Sequence, residues 1–300
     1  MNGTGEKTLP RSAALACLLG AAVLWSLAGL LIKSIDWDAL AIAGARSAIA
    51  VPVLMIYIRR PRFTWSAAQI TGAAAYTATV ILFVLANKLT TAANAILLQY
   101  TAPLYVAVLG GLLLKERAGP GAWAALAGAM GGMFFFFMDS LGEGGLYGNI
   151  LALASGLSFA VLIISLRMQK DGSPIESILL GNVITALLCA PFMFSQAPPR
   201  EGLAPLAVLG IFQLGLAYIL YSAAIRRVTA LEAVLVPVIE PLLNPLWVFL
   251  ALGETPGPWS FAGGAVVLFS VTAFSAFQAR GTVQAPAIMR RTISRKSAGS

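Results

Sequence analysis

Ten long apolar segments follow one another along the chain, separated by short connections that hold most of the charged residues. They cover approximately residues 12–33, 38–58, 66–87, 91–114, 119–138, 146–168, 174–194, 203–226, 230–251 and 256–279. A helix needs about 20 apolar residues to cross the hydrocarbon core of a bilayer, so each segment predicts one transmembrane helix. The pattern predicts an all-α integral membrane protein of ten helices and leaves no room for a soluble domain.

The composition supports this fold class and excludes several kinds of site. Of the 300 residues, 59% are hydrophobic and 11% are charged, whereas a soluble domain is about 45–50% apolar and about 25% charged. A soluble enzyme, a disordered scaffold and a secreted disulfide domain are thereby excluded. The sequence contains no histidine, which excludes His-based triads and His metal sites. Cys17 and Cys189 lie in apolar segments and are interpreted as buried small hydrophobes. We expect no metal ion and no cofactor.

The net charge of +8 is explained by membrane topology. If the N-terminus is cytoplasmic, 16 of the 20 Lys and Arg residues lie on the cytoplasmic side, 3 lie on the other side, and Arg46 lies within a segment. Because cytoplasmic loops carry an excess of Lys and Arg, both termini are predicted to be cytoplasmic. No nucleic-acid partner is expected. The N-terminal arm 1–11 and the basic tail 281–300 flank the membrane part, and the tail is expected to be solvated or attracted to anionic lipid headgroups.

One stretch of the sequence occurs twice. The stretch TAANAILLQYTAPLYVAVLGGLLLKERAGP from Thr91 recurs from Thr229 as TALEAVLVPVIEPLLNPLWVFLALGETPGP, without a gap and with 11 of 30 positions identical. The repeat divides the chain into two five-helix halves, 12–140 and 141–280. Because five is an odd number, the second half is predicted to insert upside down. Inverted repeats of this kind are the architecture of secondary transporters.

The repeated residues also resemble a known family. The block PLYVAVLGGLLLKER ahead of a Gly-Pro turn, its degenerate second copy, and the pair Trp25-Ser26 are similar to the drug/metabolite transporter superfamily, in its ten-helix EamA-type branch. The resemblance covers about residues 12 to 280. Within that branch, the chain looks most like the bacterial aromatic amino acid exporters. The resemblance implies export of amino acids or related metabolites across the bacterial inner membrane, and it does not fix the substrate.

Two charged residues lie near the middle of predicted helices, Arg46 in the second and Glu240 in the ninth. An isolated charge at the bilayer centre costs about 2.5–3.5 kcal/mol or more, so both side chains are predicted to face the protein interior. Glu240 is a candidate coupling residue or a clamp for a substrate ammonium group. The alternative is a structural carboxyl that is protonated or paired with Arg46. Arg46, in turn, is a candidate for binding a substrate carboxylate or for neutralising Glu240.

Four prolines are predicted to break the helices around these charges: Pro103, Pro237, Pro241 and Pro245. Each proline lacks a backbone N–H and therefore leaves the carbonyl four residues earlier without its helical partner. In the ninth helix these are the carbonyls of Ala233, Pro237 and Pro241. Such a broken helix is tolerated only where it is buried in protein or lines a cavity.

A set of amphipathic side chains lies at mid-segment depth and is predicted to line a substrate site. Aromatic rings bury apolar surface and amides fix orientation, which suits a concave site for a small amphipathic ligand. The candidates are Trp25, Tyr76, Gln99, Tyr100 and Asn244. Each of them is alternatively an interfacial or packing residue.

Other conspicuous residues are interpreted as structural. Glu116 and Glu254 recur at matching helix-to-turn junctions, and Glu232 is interpreted as an interfacial residue. Gly128 and Gly132 form a GxxxG pattern that indicates close helix packing.

These observations favour a secondary transporter that exports amino acids by alternating access and functions as a monomer, since one chain supplies both halves. The alternatives are a proton-coupled exporter of drugs or other small metabolites and, less favoured, a membrane-embedded enzyme. An enzyme would need an acidic metal-binding cluster or a nucleophile with its base, and the loops contain neither.

Overall fold

The computed structural model describes residues 9–116, 118–136, 138, 145–243, 247 and 258–284. These ranges contain helices and connecting loops and no strand. In chain order the α-helices are α1 Arg11–Trp25, α2 Ala28–Ser34, α3 Ala39–Ile58, α4 Ala67–Leu89, α5 Ala92–Gln99, α6 Ala102–Leu109, α7 Pro120–Phe136, α8 Leu146–Met168, α9 Ile175–Met193, α10 Leu203–Val208, α11 Ala217–Ile225, α12 Ala230–Leu235 and α13 Pro258–Gln284.

Seven helical segments within the described ranges are long and apolar enough to cross a membrane. They are Arg11–Ser34, Ala39–Ile58, Ala67–Leu89, Asn94–Leu114, Leu146–Met168, Ile175–Met193 and Arg200–Ile225. The prediction of an all-α, multi-pass membrane protein is thereby confirmed. Where the structure describes the other three predicted segments, they contain helices as well: α7 in the fifth, α12 in the ninth and α13 in the tenth. That all ten cross the membrane stays a prediction.

Several membrane segments are interrupted within their length. The first breaks between α1 and α2, where Ser26 donates from its hydroxyl to the carbonyl of Val23 at 2.6 Å. The fourth breaks between α5 and α6, and Pro103 lies in the first turn of α6. The eighth is π-helical over Leu209–Leu216, and the ninth is a 3-10 turn over Val236–Val238. These irregular turns are largely buried between helices, where their backbone groups can find other partners.

The main helix contacts join the two predicted halves. Helix α4 packs along α8, α3 along α9, α7 along α13, and α1 along α11. Glycines allow the closest approaches, as at Gly181 of α9, where an added Cβ would lie 2.6 Å from the ring of Tyr76. The packing role of the GxxxG pattern is confirmed, because Gly128 and Gly132 of α7 lie directly against Ser270 and Val267 of α13.

The repeated threonines serve the same local purpose in both copies. The side chain of Thr91 accepts from the backbone N–H of Asn94 at the start of α5, and that of Thr229 accepts from the N–H of Glu232 at the start of α12. Each threonine therefore caps a helix N-terminus, whose first N–H groups have no partner within the helix. In the second copy, Glu232 also accepts from the backbone N–H of Thr229 and completes a capping box.

Candidate functional site

A small interior cavity of about 40 Å³ lies where the interrupted segments meet. Its lining comes from both predicted halves: Trp25, Arg46, Thr79, Val80, Phe83, Gln99, Phe159, Gln213, Leu214, Tyr218 and Glu240. A cavity of this volume holds a few water molecules. A ligand of amino acid size would therefore require the surrounding helices to move apart.

The guanidinium group of Arg46 is buried in this cavity, and none of the described residues gives it a carboxylate partner. Only 1% of the residue is exposed. Its two terminal nitrogens donate to Gln213 Oε1 and to the carbonyl of Val80, both at 3.3 Å, and its Nε has no hydrogen-bond partner among the described residues. A buried cation without a counter-charge is strongly disfavoured. The site would therefore be stabilised by an anionic group of a ligand.

The carboxyl group of Glu240 lies in the same cavity and is 6% exposed. One of its oxygens lies 2.7 Å from the hydroxyl oxygen of Tyr100. Within the described ranges, the ion pairs are those of Arg11 with Glu232 and of Arg167 with Glu116. The direct ion pair between Arg46 and Glu240, which the sequence left open, is therefore not formed in this structure.

The broken ninth segment is held by tyrosine hydroxyls from other segments. The carbonyl of Ala233, which Pro237 deprives of its helical donor, accepts from Tyr221 at 3.1 Å. The carbonyl of Pro237, deprived in the same way by Pro241, accepts from Tyr100 at 2.8 Å. The third carbonyl predicted to be unpaired is that of Pro241, which Pro245 deprives of its helical donor. Pro245 lies outside the described residues.

Aromatic rings form one wall of the cavity. Trp25 contacts Phe159, Tyr218 and Tyr221, with ring centroids 5.8, 5.1 and 5.1 Å apart. Its indole Nε1 is buried without a hydrogen-bond partner among the described residues. A buried indole N–H normally has a partner, so this donor and Arg46 Nε are two unsatisfied polar groups on the cavity lining.

The predicted site residues divide into four groups. Trp25, Gln99, Arg46 and Glu240 line the cavity together. Tyr100 lies behind Glu240 and bonds to it, as described above. Tyr76 does not line the cavity: its hydroxyl donates to Asn182 at 3.0 Å, and its ring packs against Tyr218 at 4.9 Å. Asn244 and Pro245 lie outside the described residues, as do Glu254 and the tail from 285.

The sequence analysis missed part of the cavity wall. Phe159, Thr79, Val80 and Phe83 were not selected, because an aromatic or β-branched residue in an apolar segment carries no distinguishing signal. For Phe159 the sequence contained one indication. The polar residue Ser155 lies four residues earlier and therefore on the same face of the helix. Ser155 accepts from the Gln99 amide at 2.8 Å and so connects α8 to the cavity.

A second polar cluster joins the predicted halves at the end of the molecule that the charge pattern assigns to the cytoplasm. Glu116 accepts from Arg167 Nε at 2.8 Å and from the backbone N–H of Ala230 at 2.9 Å. Arg11 forms an ion pair with Glu232. Glu232 is thus a buried capping residue and not merely an interfacial one, and Glu116 is structural, as its position at a helix-to-turn junction predicted.

The comparisons with known proteins identify the family. The model of the EamA-like transporter family matches residues 12–138 and again residues 146–276. The chain belongs to the EamA-like transporter family. It is therefore a membrane transporter of the drug/metabolite transporter superfamily. The assignment agrees with the multi-pass helical fold and with a cavity lined from both halves.

Relatives of this EamA-family transporter occur in bacteria and archaea. It is 29% identical to the uncharacterized transporter YwfM of Bacillus subtilis (strain 168), over 59% of this chain and 62% of YwfM. The match thus spans less than two thirds of YwfM's own length. It is 31% identical to an uncharacterized transporter of Archaeoglobus fulgidus, over 64% of this chain and 70% of the relative.

A solved crystal structure supports the fold of this EamA-family transporter. It matches with a TM-score of 0.76 at 20% sequence identity, over 90% of this chain and 99% of the other. At this identity the similarity concerns the fold alone.

Proposed function

We propose that this EamA-family protein exports amino acids, the aromatic and other small amphipathic ones, by alternating access across the bacterial inner membrane. The observation that carries this proposal is that Arg46 and Glu240 line one interior cavity without pairing with each other. An amino acid is a zwitterion, so its carboxylate can bind the Arg46 guanidinium as a bidentate partner. Its ammonium group can bind the Glu240 carboxylate, and its side chain can pack against Trp25 and Phe159.

We propose an architecture of ten transmembrane helices, arranged as inverted five-helix repeats over 12–140 and 141–280. The helix contacts support this proposal. If each helix of one half is replaced by the corresponding helix of the other half, the α4–α8 contact becomes the contact of α11 with α1. The same exchange leaves the α3–α9 and α7–α13 contacts unchanged. Two family-model matches, one in each half, support it as well. An even number of helices places both termini on one side, and the charge pattern assigns that side to the cytoplasm. One chain forms a complete transporter without a second subunit.

Alternating access explains why the cavity is small in this structure. In such a cycle the site opens to one side at a time and closes around the substrate between openings. The Glu116–Arg167 and Arg11–Glu232 pairs hold the cytoplasmic end together. They would have to separate before a substrate could enter from the cytoplasm.

A second candidate is export of drugs or other small metabolites. A cationic drug could bind Glu240 and the aromatic wall, but it would leave the Arg46 guanidinium without an anion. The buried and unpaired Arg46 therefore favours a substrate with a carboxylate.

The experiment is an efflux assay with purified protein in liposomes. Vesicles are preloaded with single radiolabelled aromatic or aliphatic amino acids, and efflux is compared with that from protein-free vesicles. Faster efflux of at least one of these amino acids supports the proposal. If a broad panel leaves at the protein-free rate, while the protein is shown to be folded and inserted, amino acid export is ruled out.

A further inference from the structure

A cavity of about 190 Å³ lies between the ends of α3, α9 and α11, at the end of the molecule that the charge pattern assigns to the cytoplasm. We call it the arginine cavity, and its lining includes Tyr57, Ser173, Ile219, Ser222, Arg226 and Arg227. It shares no described lining residue with the central cavity. Since one water molecule takes about 30 Å³ of the liquid, the arginine cavity has room for a phosphate group.

The buried hydroxyl group of Ser222 has no hydrogen-bond partner among the described residues. The residue is 4% exposed and lines the arginine cavity. A serine in a helix can satisfy its hydroxyl by donating to the carbonyl four residues earlier, as Ser158 does to Ala154 at 2.9 Å. Ser222 forms no such bond. Because a buried hydroxyl without a partner is costly, an acceptor group inside the cavity would stabilise this site.

Two arginines place positive charge at the same cavity. Ile219, Ser222 and Arg226 are three and four residues apart, so they share the face of α11 that lines the cavity. The Nε of Arg226 donates to the carbonyl of Lys170 at 3.2 Å, which holds this side chain beside the loop after α8. Arg227 lines the cavity as well, and no carboxylate belongs to the described part of the lining. The charges therefore favour an anionic ligand.

The start of α9 adds to the positive potential. Pro174 and Ile175 line the cavity, and no side chain caps the N-terminus of the helix there. The N-terminal end of a helix carries a partial positive charge and attracts anions. Glu176, the acidic residue of this first turn, accepts from the backbone N–H of Arg62 at 2.6 Å and does not line the cavity. Its carboxylate therefore does not occupy the anion position.

The rest of the lining is apolar and continues onto the membrane-facing surface. Tyr57 is 54% exposed in the last turn of a membrane segment, and Leu9 is 37% exposed beside it in the lining. Inorganic phosphate would gain nothing from an apolar wall. A phospholipid, in contrast, carries its phosphate next to glycerol and acyl chains. Anionic phospholipids also give the cytoplasmic leaflet its negative surface potential, so the position of the cavity suits them.

We propose that the arginine cavity binds the phosphate group of an anionic phospholipid from the cytoplasmic leaflet. The phosphate accepts from the Ser222 hydroxyl and from the guanidinium groups of Arg226 and Arg227 as charge-assisted bonds. The glycerol and the start of the acyl chains lie against Tyr57 and Ile219. Because the cavity joins an end of α3 to ends of α9 and α11, the lipid connects the two predicted halves and stabilises the folded protein. This inference does not depend on which substrate is transported.

The first test measures which lipid the protein retains. Native mass spectrometry of the full chain is performed from micelles with equal amounts of dioleoylphosphatidylglycerol, which is anionic, and dioleoylphosphatidylcholine, which has no net charge. The wild-type protein is expected to retain phosphatidylglycerol preferentially. Arg227→Gln should lower this preference about fivefold, and Ser222→Ala about two- to tenfold.

Two matched variants control this test. Arg60→Gln removes an exposed arginine at the same end of the molecule but outside the described lining. Ser158→Ala removes a hydroxyl that is bonded within its own helix. Both should keep the wild-type preference. Equal retention of the two lipids by the wild-type protein, or an unchanged preference in either Arg227→Gln or Ser222→Ala, would overturn the proposal.

The second test separates a lipid site from a site for a soluble anion. Thermal unfolding is recorded in phosphatidylcholine nanodiscs, in discs that also contain phosphatidylglycerol, and in phosphatidylcholine discs with inorganic phosphate at matched ionic strength. Phosphatidylglycerol should raise the wild-type midpoint, and this rise should shrink in Arg227→Gln and Ser222→Ala. A general loss of stability would lower the midpoint in both lipids and leave the rise intact, which contradicts the proposal. An equal rise with inorganic phosphate alone would assign the cavity to a soluble anion and contradict it as well.

Discussion

The hydroxyl group of Tyr221 in α11 donates to the carbonyl oxygen of Ala233 in α12, the oxygen that lost its helical partner to Pro237. The bond replaces one that a proline abolished, so it connects the broken ninth segment to the eighth. Tyr221 is fully buried, so this bond lies out of contact with the solvent. The relationship explains how a helix with closely spaced prolines can hold a defined shape inside a membrane protein.

Removal of the Tyr221 hydroxyl is expected to destabilise the protein. Tyr221→Phe leaves the Ala233 carbonyl unpaired, at a cost of about 0.6–1.7 kcal/mol for a buried hydrogen bond between membrane helices. Thermal unfolding in detergent should show a lower midpoint for this variant. Tyr147→Phe is the matched control, because Tyr147 is 80% exposed at the start of α8. Equal midpoints for the two variants would mean that the Tyr221 bond contributes nothing.

The close approach of α4 and α9 at Gly181 predicts a second stability effect. In Gly181→Ala the new Cβ would lie 2.6 Å from Tyr76 Cδ1 and 3.0 Å from the carbonyl of Ala73. Overpacking of this kind costs about 1–3 kcal/mol, so the unfolding midpoint should fall. Gly131→Ala is the control, since a Cβ there meets nothing within 4 Å, and it should be neutral or stabilising because Ala favours helix. Equal effects of the two substitutions would refute the close contact.

The Glu116 cluster is expected to control opening at the predicted cytoplasmic end. Glu116→Gln removes the charge from the Arg167 pair and weakens the bond to the Ala230 N–H. A loss of about 0.5–1 kcal/mol corresponds to an open population about two- to fivefold larger. The measurement is the rate at which a membrane-impermeant maleimide labels the cysteine introduced by Leu231→Cys. Leu231 lines another cavity, separate from the central one, and Glu116 lines it too.

The labelling experiment requires a protein without other cysteines and a matched charge control. Cys17→Ala and Cys189→Ala remove the native thiols. Glu201→Gln makes the same substitution at an exposed residue outside the cluster, and it should leave the rate unchanged. If Glu116→Gln is labelled at the same rate as the otherwise identical protein that retains Glu116, the cluster does not restrain this end.

The buried guanidinium predicts a specific transport defect. Arg46→Lys keeps the positive charge but loses the planar fork that binds a carboxylate with two bonds. Phenylalanine efflux by Arg46→Lys should therefore fall by about tenfold or more, with the loss mainly in apparent affinity. Arg60→Lys, an exposed position in the loop after α3, is the control. An Arg46→Lys variant with unaltered efflux would assign Arg46 a purely structural role.

The sequence was sufficient to locate the helices and the carbonyls that lack a helical partner. It was insufficient to identify the donors that those carbonyls find. The apolar segments located the helices because a bilayer demands a fixed apolar length. The prolines identified which carbonyls would lack a partner, but not the donors, since Tyr221 and Tyr100 are 12 and 137 residues distant from the carbonyls they serve. Tyr76 and Tyr100 are equally polar in sequence, and only packing directs one towards Asn182 and the other towards Glu240.

The charged residues were the most informative part of the site. Arg46 and Glu240 were identifiable because a charge at mid-segment depth requires a reason. Their relationship was not identifiable, because pairing depends on the angle at which α3 and the ninth segment face each other. The structure brings them to one cavity and leaves them unpaired, so of the alternatives that the sequence left open it removes the direct ion pair and supports the proposed site for a zwitterion.

The most direct test of the zwitterion site is competition in wild-type counterflow. Radiolabelled phenylalanine is exchanged across liposomes in the presence of unlabelled phenylalanine, phenylalaninamide, which lacks the carboxylate, or N-acetylphenylalanine, which lacks the ammonium group. Because each analogue leaves one buried charge of the site unpaired, both should inhibit at least about tenfold more weakly than phenylalanine. Inhibition by either analogue as strong as by phenylalanine itself would contradict recognition of the substrate by Arg46 and Glu240.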